Sequence, residues 1–393
     1  VTFSSRTPRS LAKNRLAAAL AEKREPHVDL TVTNPTAVDL PIDDELLLLL
    51  ADVRGAHYVP DPRGLPRARE AVARWYDVRR VPARSENVVL TASSSEAYSF
   101  LFKLLCEPGD AVLVPAPSYP LLEALAELEC VALEPYALDE TDGFFVHAQA
   151  VVEALEKADA EGRPVRAVVL ISPGNPTGSG IRQEELERLV EIARERSLAI
   201  VSDEVFLDYR FQTAREEVTV AAGVPRDALV FSLGGLSKSA GLPQLKAGWI
   251  LASGPPPLLA EALERLEWIA DAFLSVSTPV QLALPDLLER GRGAADLIRA
   301  RVKGNARLLA TEFPAGGRVS PLPFRAGWSA VLRVPATEPE ESLVVRLLET
   351  HGVLVQPGYF FDFPREAFLV LSLLPEPALF AEGLRRLREG LAR

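Results

Sequence analysis

Through its middle the chain alternates short apolar runs with helix-length amphipathic segments, and this rhythm narrows the fold more than any other feature. The runs at 88–91, 111–114, 167–171, 198–202, 228–233 and 247–252 read as buried strands. Between them lie helical patterns such as 184–196, where Leu186, Leu189, Val190 and Ile192 recur in helical register. Apolar strands alternating with helices predict an α/β domain, with a mostly parallel sheet covered by helices on both faces. Gly and Pro cluster where strands end, at 115–120, 173–180 and 234–243. Ligands of open α/β sheets bind beyond the carboxyl ends of strands, so these clusters are the first candidate site.

The C-terminal part differs. Helical stretches at 258–273 and 285–313 precede short strands at 330–334 and 368–373 and a final amphipathic helix at 377–391. This mix predicts a smaller α+β domain on which the N-terminal residues pack. The expected division is a large domain at 45–280 and a small domain made of 1–44 and 281–393. The leucine run 46–50 reads as a core helix.

Composition removes other classes. The chain carries 43 Lys and Arg against 54 Asp and Glu, a formal net charge of −11. An acidic protein repels nucleic acid and anionic membranes rather than collecting them. No apolar run approaches the roughly 20 residues of a membrane span, and the start lacks the apolar stretch of a signal peptide. A cytoplasmic protein with no nucleic-acid or membrane partner is therefore expected. Cys106 and Cys130 are too few for a disulfide scaffold and read as small buried hydrophobes. His27, His57, His147 and His351 lack ligand spacing, so no metal site is expected.

Three positions stand out for chemistry. Lys238, flanked by Ser237 and Ser239 at a strand-to-loop junction, can form a Schiff base if its surroundings lower its pKa. Asp203 ends the apolar run 198–202, where a carboxylate can pair with a buried cationic nitrogen or simply cap a helix. Asn175 sits in Ser172-Pro173-Gly174-Asn175-Pro176-Thr177-Gly178 after the run 167–171, and by itself reads as a turn former.

Taken in order, Asn175-Pro176-Thr177-Gly178, Asp203 and Lys238 resemble the fold-type-I pyridoxal-phosphate (PLP) aminotransferases, the large class I/II family. Further matches extend from Asn34-Pro35 to the strand at 368–373. The resemblance implies an α/β fold whose large domain holds a mostly parallel, seven-stranded sheet, with a small domain built from both termini. It implies an enzyme that moves an amino group between an amino acid donor and a 2-oxo acid by ping-pong chemistry. Lys238 would carry PLP and, once released, shuttle a proton at the substrate carbon. Asp203 would pair with the protonated pyridine nitrogen and keep the ring an electron sink. Asn175 would donate to the ring oxygen, and Tyr119, in Pro117-Ser118-Tyr119-Pro120, matches the aromatic residue that stacks on the ring. Thr91-Ala92-Ser93-Ser94-Ser95-Glu96-Ala97 resembles the phosphate-binding segment, with Ser94, Ser95 and helix N–H groups as donors, joined by Ser237 and Lys246. Tyr58, in His57-Tyr58-Val59-Pro60, resembles the tyrosine that reaches the phosphate of the other subunit, which implies a homodimer.

Four positions depart from the family pattern. Lys246 stands where an arginine is common, Gly235 where a serine is frequent and Phe206 where a tyrosine is frequent. Lysine neutralises phosphate as a point charge without arginine's fork. The fourth departure is Val370, in Phe368-Leu369-Val370-Leu371-Ser372, at the place of the arginine that binds the substrate carboxylate. Substitutes considered for that role are Asn34, Asn175 and Arg365, the last expected to turn inward on a loop held by Phe361 and Phe363. A β-lyase, a decarboxylase, or a transaminase whose donor lacks a free α-carboxylate are the alternatives on the same fold. No Gly-x-Gly-x-x-Gly follows a strand and no Gly-Lys-Ser/Thr occurs, which disfavours a dinucleotide enzyme and a phosphate-loop nucleotidase.

Overall fold

The computed structural model describes residues 2–8, 12–211 and 227–392. The chain opens with α1 (Arg15–Glu22), β1 (Val28–Asp29), α2 (Pro66–Asp77), β2 (Val88–Thr91), α3 (Ser94–Leu105), β3 (Ala111–Ala116), α4 (Leu121–Leu128) and β4 (Ala132–Ala137). It continues through α5 (Ala148–Ala160), β5 (Val165–Ile171), α6 (Gln183–Arg196), β6 (Ala199–Asp203), β7 (Val230–Gly235), α7 (Leu236–Ser239), β8 (Gly248–Ser253) and α8 (Pro256–Asp271). The last part holds α9 (Thr278–Arg290), α10 (Arg292–Glu312), β9 (Ser320–Pro321), β10 (Ser329–Arg333), α11 (Glu340–His351), β11 (Val353–Leu354), β12 (Gln356–Pro357), β13 (Phe368–Ser372) and α12 (Pro377–Leu391).

A seven-stranded sheet with the order β2-β8-β7-β6-β5-β3-β4 forms the centre. Only β8 runs antiparallel to its neighbours, β2 and β7; the other pairs are parallel. The carboxyl ends of β2, β3, β5, β6 and β7 therefore meet on one edge. Every residue of β6 is buried, as a strand covered on both faces requires. One face packs on α3 and α8 through Phe100, Leu101, Leu263 and Leu266, and the other on α2, α5, α6 and α9 through Val72, Leu155, Leu189 and Leu287. Strand succession reverses beside β3: β4 lies outside it, whereas β5, β6 and β7 step away on the other side. A reversal of this kind opens a crevice between neighbouring strand ends.

A separate apolar cluster unites Leu16, Leu30, Ile298, Leu347, Leu369 and Leu384. It lies between the four-stranded antiparallel sheet β12-β13-β10-β9 and the helices α1, α10, α11 and α12. N-terminal and C-terminal residues thus share one core.

Three expectations are corrected. The leucine run is a 3-10 segment, Asp44–Leu50, in which Leu46 is buried while Leu47 and Leu48 face solvent. The stretch 285–313 is not one helix: Pro285 lies inside α9, and the chain breaks at Gly291 before α10. A side-chain carbon at Gly291 would come within 2.5 Å of Ala240, so the junction presses on the segment just after Lys238. Third, Cys130 is exposed and Cys106 only half-buried, so the cysteines are not both buried hydrophobes. In addition, β4 has no counterpart among the expected strands. It contains Glu134 and Pro135, and it is the sheet edge, where proline costs no ladder bond. Glu134 is buried there against Arg163 and Lys157.

Candidate active site

The strand ends enclose a cavity of about 290 Å³, into which Ser94, Ser95, Tyr119, Asn175, Asp203, Ser237, Lys238 and Lys246 all project. Residues far apart in sequence meet because the parallel strands end together. Ser94 and Ser95 follow β2, Tyr119 follows β3, Asn175 follows β5, Asp203 is the last residue of β6, and Lys238 lies in the single turn α7 after β7.

One end of the cavity is the start of α3. Ser93 caps the helix by accepting the Glu96 N–H at 3.2 Å, and Glu96 in return accepts the Ala92 N–H at 2.6 Å and the Ser275 hydroxyl at 2.5 Å. The Glu96 charge is thereby tied off, and the first-turn N–H groups with Ser94 and Ser95 form a cradle for an anion. Gly248, at the start of β8, is needed here, since a side-chain carbon would lie 3.0 Å from the Ser93 carbonyl carbon. Lys246 turns the chain into β8 from a left-handed conformation (φ 50°) and adds a cation beside the cradle.

At the centre are Asp203 and Lys238. Asp203 is buried; its Oδ1 accepts the Val205 N–H at 3.2 Å and its Oδ2 accepts the Tyr98 hydroxyl at 3.2 Å. Burial raises its carboxyl pKa to about 6 against the pull of these donors and of Lys238. Burial drives the Lys238 amine the other way, down to about 8, with Asp203 opposing. The amine lies 4.3 Å from the Trp328 ring centre and 5.3 Å from that of Phe206. Its backbone is held by the Tyr209 hydroxyl, which donates to the Lys238 carbonyl at 2.7 Å.

Asn175 is presented by a tight loop in which the Gly174 N–H bonds Ser179 and the Gly178 N–H bonds Gly174. Gly178 has a left-handed φ of 67°, and a side-chain carbon there would sit 2.6 Å from the Ala326 oxygen. Glycine alone allows the loop to seat against the segment that leads to Trp328. Thr33, Val205, Phe206, Trp328 and Ser329 complete the wall, Ser329 Oγ lying 3.5 Å from Asn175 Oδ1.

The other expected residues lie elsewhere. Asn34 faces solvent, and its side chain caps its own turn by accepting from Thr36; the adjacent Thr33 lines the cavity instead. Arg365 does not turn inward. Phe361 and Phe363 do pin its loop in the core, but Glu140 takes the guanidinium at 2.7 Å on the outside, over the Phe368 ring. Tyr58 is 69% exposed and borders a separate shallow pocket with Val59, Leu274 and Gln281. Val370 is buried between Val331 and Gln356 on the neighbouring strands and packs with Phe361, Phe363 and Phe368. Among the described residues lining the cavity, the cations are Lys238 and Lys246. Thr33, Trp328 and Ser329 carried no local signal in the sequence; Tyr98, not singled out there, stands one helical turn beyond Ser94, and that spacing was the signal that could have found it.

These residues fit PLP by their chemistry: an anion cradle for its phosphate, a half-buried primary amine for its aldehyde and a buried carboxylate for its pyridine nitrogen. Comparison with known proteins points the same way. The family model described as aminotransferase class I and II matches residues 29–384. Glutamate-pyruvate aminotransferase AlaA of Escherichia coli K12 is 30% identical over 371 residues, covering 91% of this chain and 89% of that protein. Alanine aminotransferase of Mycobacterium tuberculosis H37Rv is 28% identical, covering 94% and 87%. Among solved structures, a Thermus thermophilus aspartate aminotransferase mutant superposes with a TM-score of 0.84 at 22% identity, each chain covered in full. An alanine aminotransferase from Pyrococcus furiosus gives 0.83 at 22% identity, covering 96% and 95%.

Proposed function

The chain belongs to the class I and II aminotransferases and is a PLP-dependent aminotransferase, and from that premise we propose a role for each residue of the cavity. When bound, the cofactor supplies the electron sink that makes the substrate's α-proton removable. The start of α3, Ser94, Ser95, Ser237 and Lys246 would hold its phosphate. Tyr119 would stack on the ring and Asn175 would donate to the ring oxygen. Asp203 holds a proton on the ring nitrogen, a task for which a buried anion beside a buried cation is suited. Lys238 would be the residue that holds the cofactor at its aldehyde carbon, with loss of water, and its freed amine would then move a proton at the substrate carbon. A depressed amine pKa suits both tasks, because the neutral amine is the nucleophile and the base. Trp328 and Phe206 wall the amine from water.

One observation carries this reading: a half-buried amine, a buried carboxylate and a capped helix start converge on a single cavity at the carboxyl ends of the parallel strands. The relatives named for alanine, and for glutamate with pyruvate, make those compounds the first donors and acceptors to try. The protein should convert 2-oxoglutarate or pyruvate to the corresponding amino acid at the expense of a donor, in two separable half-reactions. Release of ammonia or carbon dioxide without amino transfer to any 2-oxo acid would defeat the proposal.

We also propose a cytoplasmic homodimer. Tyr58, Val59, Phe273, Leu274 and Trp268 leave apolar surface exposed on one chain, and Tyr58 reaches no cavity of its own subunit that holds the amine. No described helix is long and apolar enough to cross a membrane. Sedimentation at micromolar concentration should give twice the chain mass, and Tyr58→Phe should weaken cofactor retention. A fully active monomer would contradict the shared site.

A further inference from the structure

Behind Asp203, away from the cavity, stands Tyr98 of α3. Its side chain is buried, its ring packs on Phe102 with centroids 5.9 Å apart, and its hydroxyl donates to Asp203 Oδ2 at 3.2 Å. The other carboxylate oxygen is engaged by the Val205 N–H. With one donor on each oxygen, the plane of the carboxylate is fixed from two directions, by the strand that bears it and by a helix on the neighbouring face of the sheet.

We propose that Tyr98 is a positioning residue for Asp203, fixing the carboxylate toward the ring nitrogen of the cofactor and stabilising its anionic form. The inference rests on the role proposed above for Asp203. Its physical basis is the geometry of α3. Ser94 and Tyr98 are four residues apart, so they lie one above the other on one helix face. The helix start would receive the phosphate, and one turn later the same face steadies the carboxylate. A single rigid element therefore sets the distance between the two ends of the cofactor, and pulling α3 out of place would disturb both. Donation to a carboxylate is a charge-assisted bond and favours the ionised form, and in a buried setting it opposes the desolvation that favours the protonated one. Burial holds the Tyr98 hydroxyl well above its usual pKa, so it keeps the proton it donates.

The test compares Tyr98→Phe, which keeps the ring and its packing, with Asp203→Asn and with Tyr136→Phe. Tyr136 is a control because its buried hydroxyl donates to the Val169 carbonyl at 2.8 Å, remote in chemistry from the cofactor. The readouts are PLP affinity by equilibrium dialysis, the pH dependence of the bound cofactor's absorbance, and the carboxyl titration of Asp203 in the cofactor-free protein by carbon NMR. Tyr98→Phe is expected to weaken PLP binding about tenfold, the loss of one hydrogen bond to a charged group. It should also raise the pH at which Asp203 loses its proton, whereas Tyr136→Phe should change neither. Wild-type affinity and an unchanged Asp203 titration in Tyr98→Phe, with binding lost in Asp203→Asn, would overturn the role of Tyr98 alone. Wild-type binding and absorbance in Asp203→Asn would overturn the role of Asp203 and this inference with it.

Discussion

The two sides of the cavity are built on different principles. The cofactor side is made of strand ends: the start of α3 after β2, Asp203 at the tip of β6 and Lys238 just after β7. Each functional group is fixed by local backbone, and each carries charge or a hydrogen-bonding dipole. The facing wall, from Thr33, Trp328 and Ser329, comes from segments that fold with the other core. It offers hydroxyls and aromatic surface, and Val370 in the strand beside β10 is sealed in an apolar cluster. On the proposed roles, one side is committed to the cofactor, whereas the other is a neutral surface against which substrates would be sorted. The comparison predicts that substitutions on the first side act on chemistry and cofactor, and those on the second on selectivity.

The largest effect belongs to Lys238. Lys238→Met should lower kcat by more than about 10³-fold, the scale of a lost positioned acid–base group. It should also abolish covalent fixation of the cofactor by borohydride, read by peptide mass; label on another lysine would break the assignment. The same variant has an opposite effect on stability. In the cofactor-free protein the folded-state amine pKa of about 8 lies below the unfolded value. Below pH 8 both states are protonated and the cost of burying the charge is fully present; as pH rises past 8 toward the ordinary lysine value, that cost is released. Lys238→Met should therefore stabilise the cofactor-free protein at pH 7, on the order of 3 kcal/mol. The gain should shrink at pH 9.5 in urea unfolding; a gain independent of pH would exclude the buried charge as its cause.

The facing wall gives a smaller and more selective expectation. Among the described residues lining the cavity, neither cation stands apart from the proposed cofactor contacts, so an α-carboxylate meets Asn175, Ser329 and Thr33. Neutral donors to a carboxylate lack the second charge and the bidentate fork that an arginine would bring. An amino acid amide should then be only about tenfold poorer in kcat/KM than the free acid, a difference near 1.4 kcal/mol. A preference of a thousandfold for the acid would show that a cation reaches this wall.

The same division explains what could be read from the sequence. The cofactor side was legible because its residues sit at element ends, where a strand must stop, a helix must be capped and a glycine must turn. Asn175, Asp203 and Lys238 are marked by the apolar runs that precede them. The edge strand β4 was not legible, because Pro135 and the buried Glu134 are tolerated only by its place in the sheet and by Arg163. Asn34 and Arg365 went astray for a related reason. A polar side chain in a loop takes the nearest partner, and Thr36 and Glu140 are supplied by folding rather than by spacing. Trp328 joins the site through a sheet whose register no local pattern states.

Phe206 lies where the two sides meet. Its ring lines the cavity, packs edge-on against Trp328 at 5.5 Å and brings no hydroxyl to the site. In Phe206→Tyr the added hydroxyl should stabilise an anionic ring oxygen on the cofactor. One neutral-to-charged hydrogen bond of about 1.5 kcal/mol shifts a titration by about one pH unit. The pH at the midpoint of the bound cofactor's absorbance change should therefore fall by up to about one unit. No change, or a rise, would show that position 206 faces away from the ring oxygen.

The smallest effect is expected at Arg365, where sequence and structure part most clearly. A charge five positions before Val370 looks like a replacement for a missing carboxylate clamp, but its guanidinium is half exposed and held by Glu140 outside the cavity. Glu140 also pairs with Arg333, so removing Arg365 leaves the carboxylate with a partner rather than buried alone. Exposed ion pairs contribute about 0.2–1 kcal/mol. Arg365→Ala should accordingly cost no more than that in urea unfolding and change kcat/KM by less than about threefold for any amino acid accepted. A hundredfold loss specific to substrates with a free α-carboxylate, with the amide unaffected, would mean that the loop swings inward when substrate binds. The neutral wall would then be a property of the empty cavity alone, and the contrast between the two sides would narrow to the resting protein.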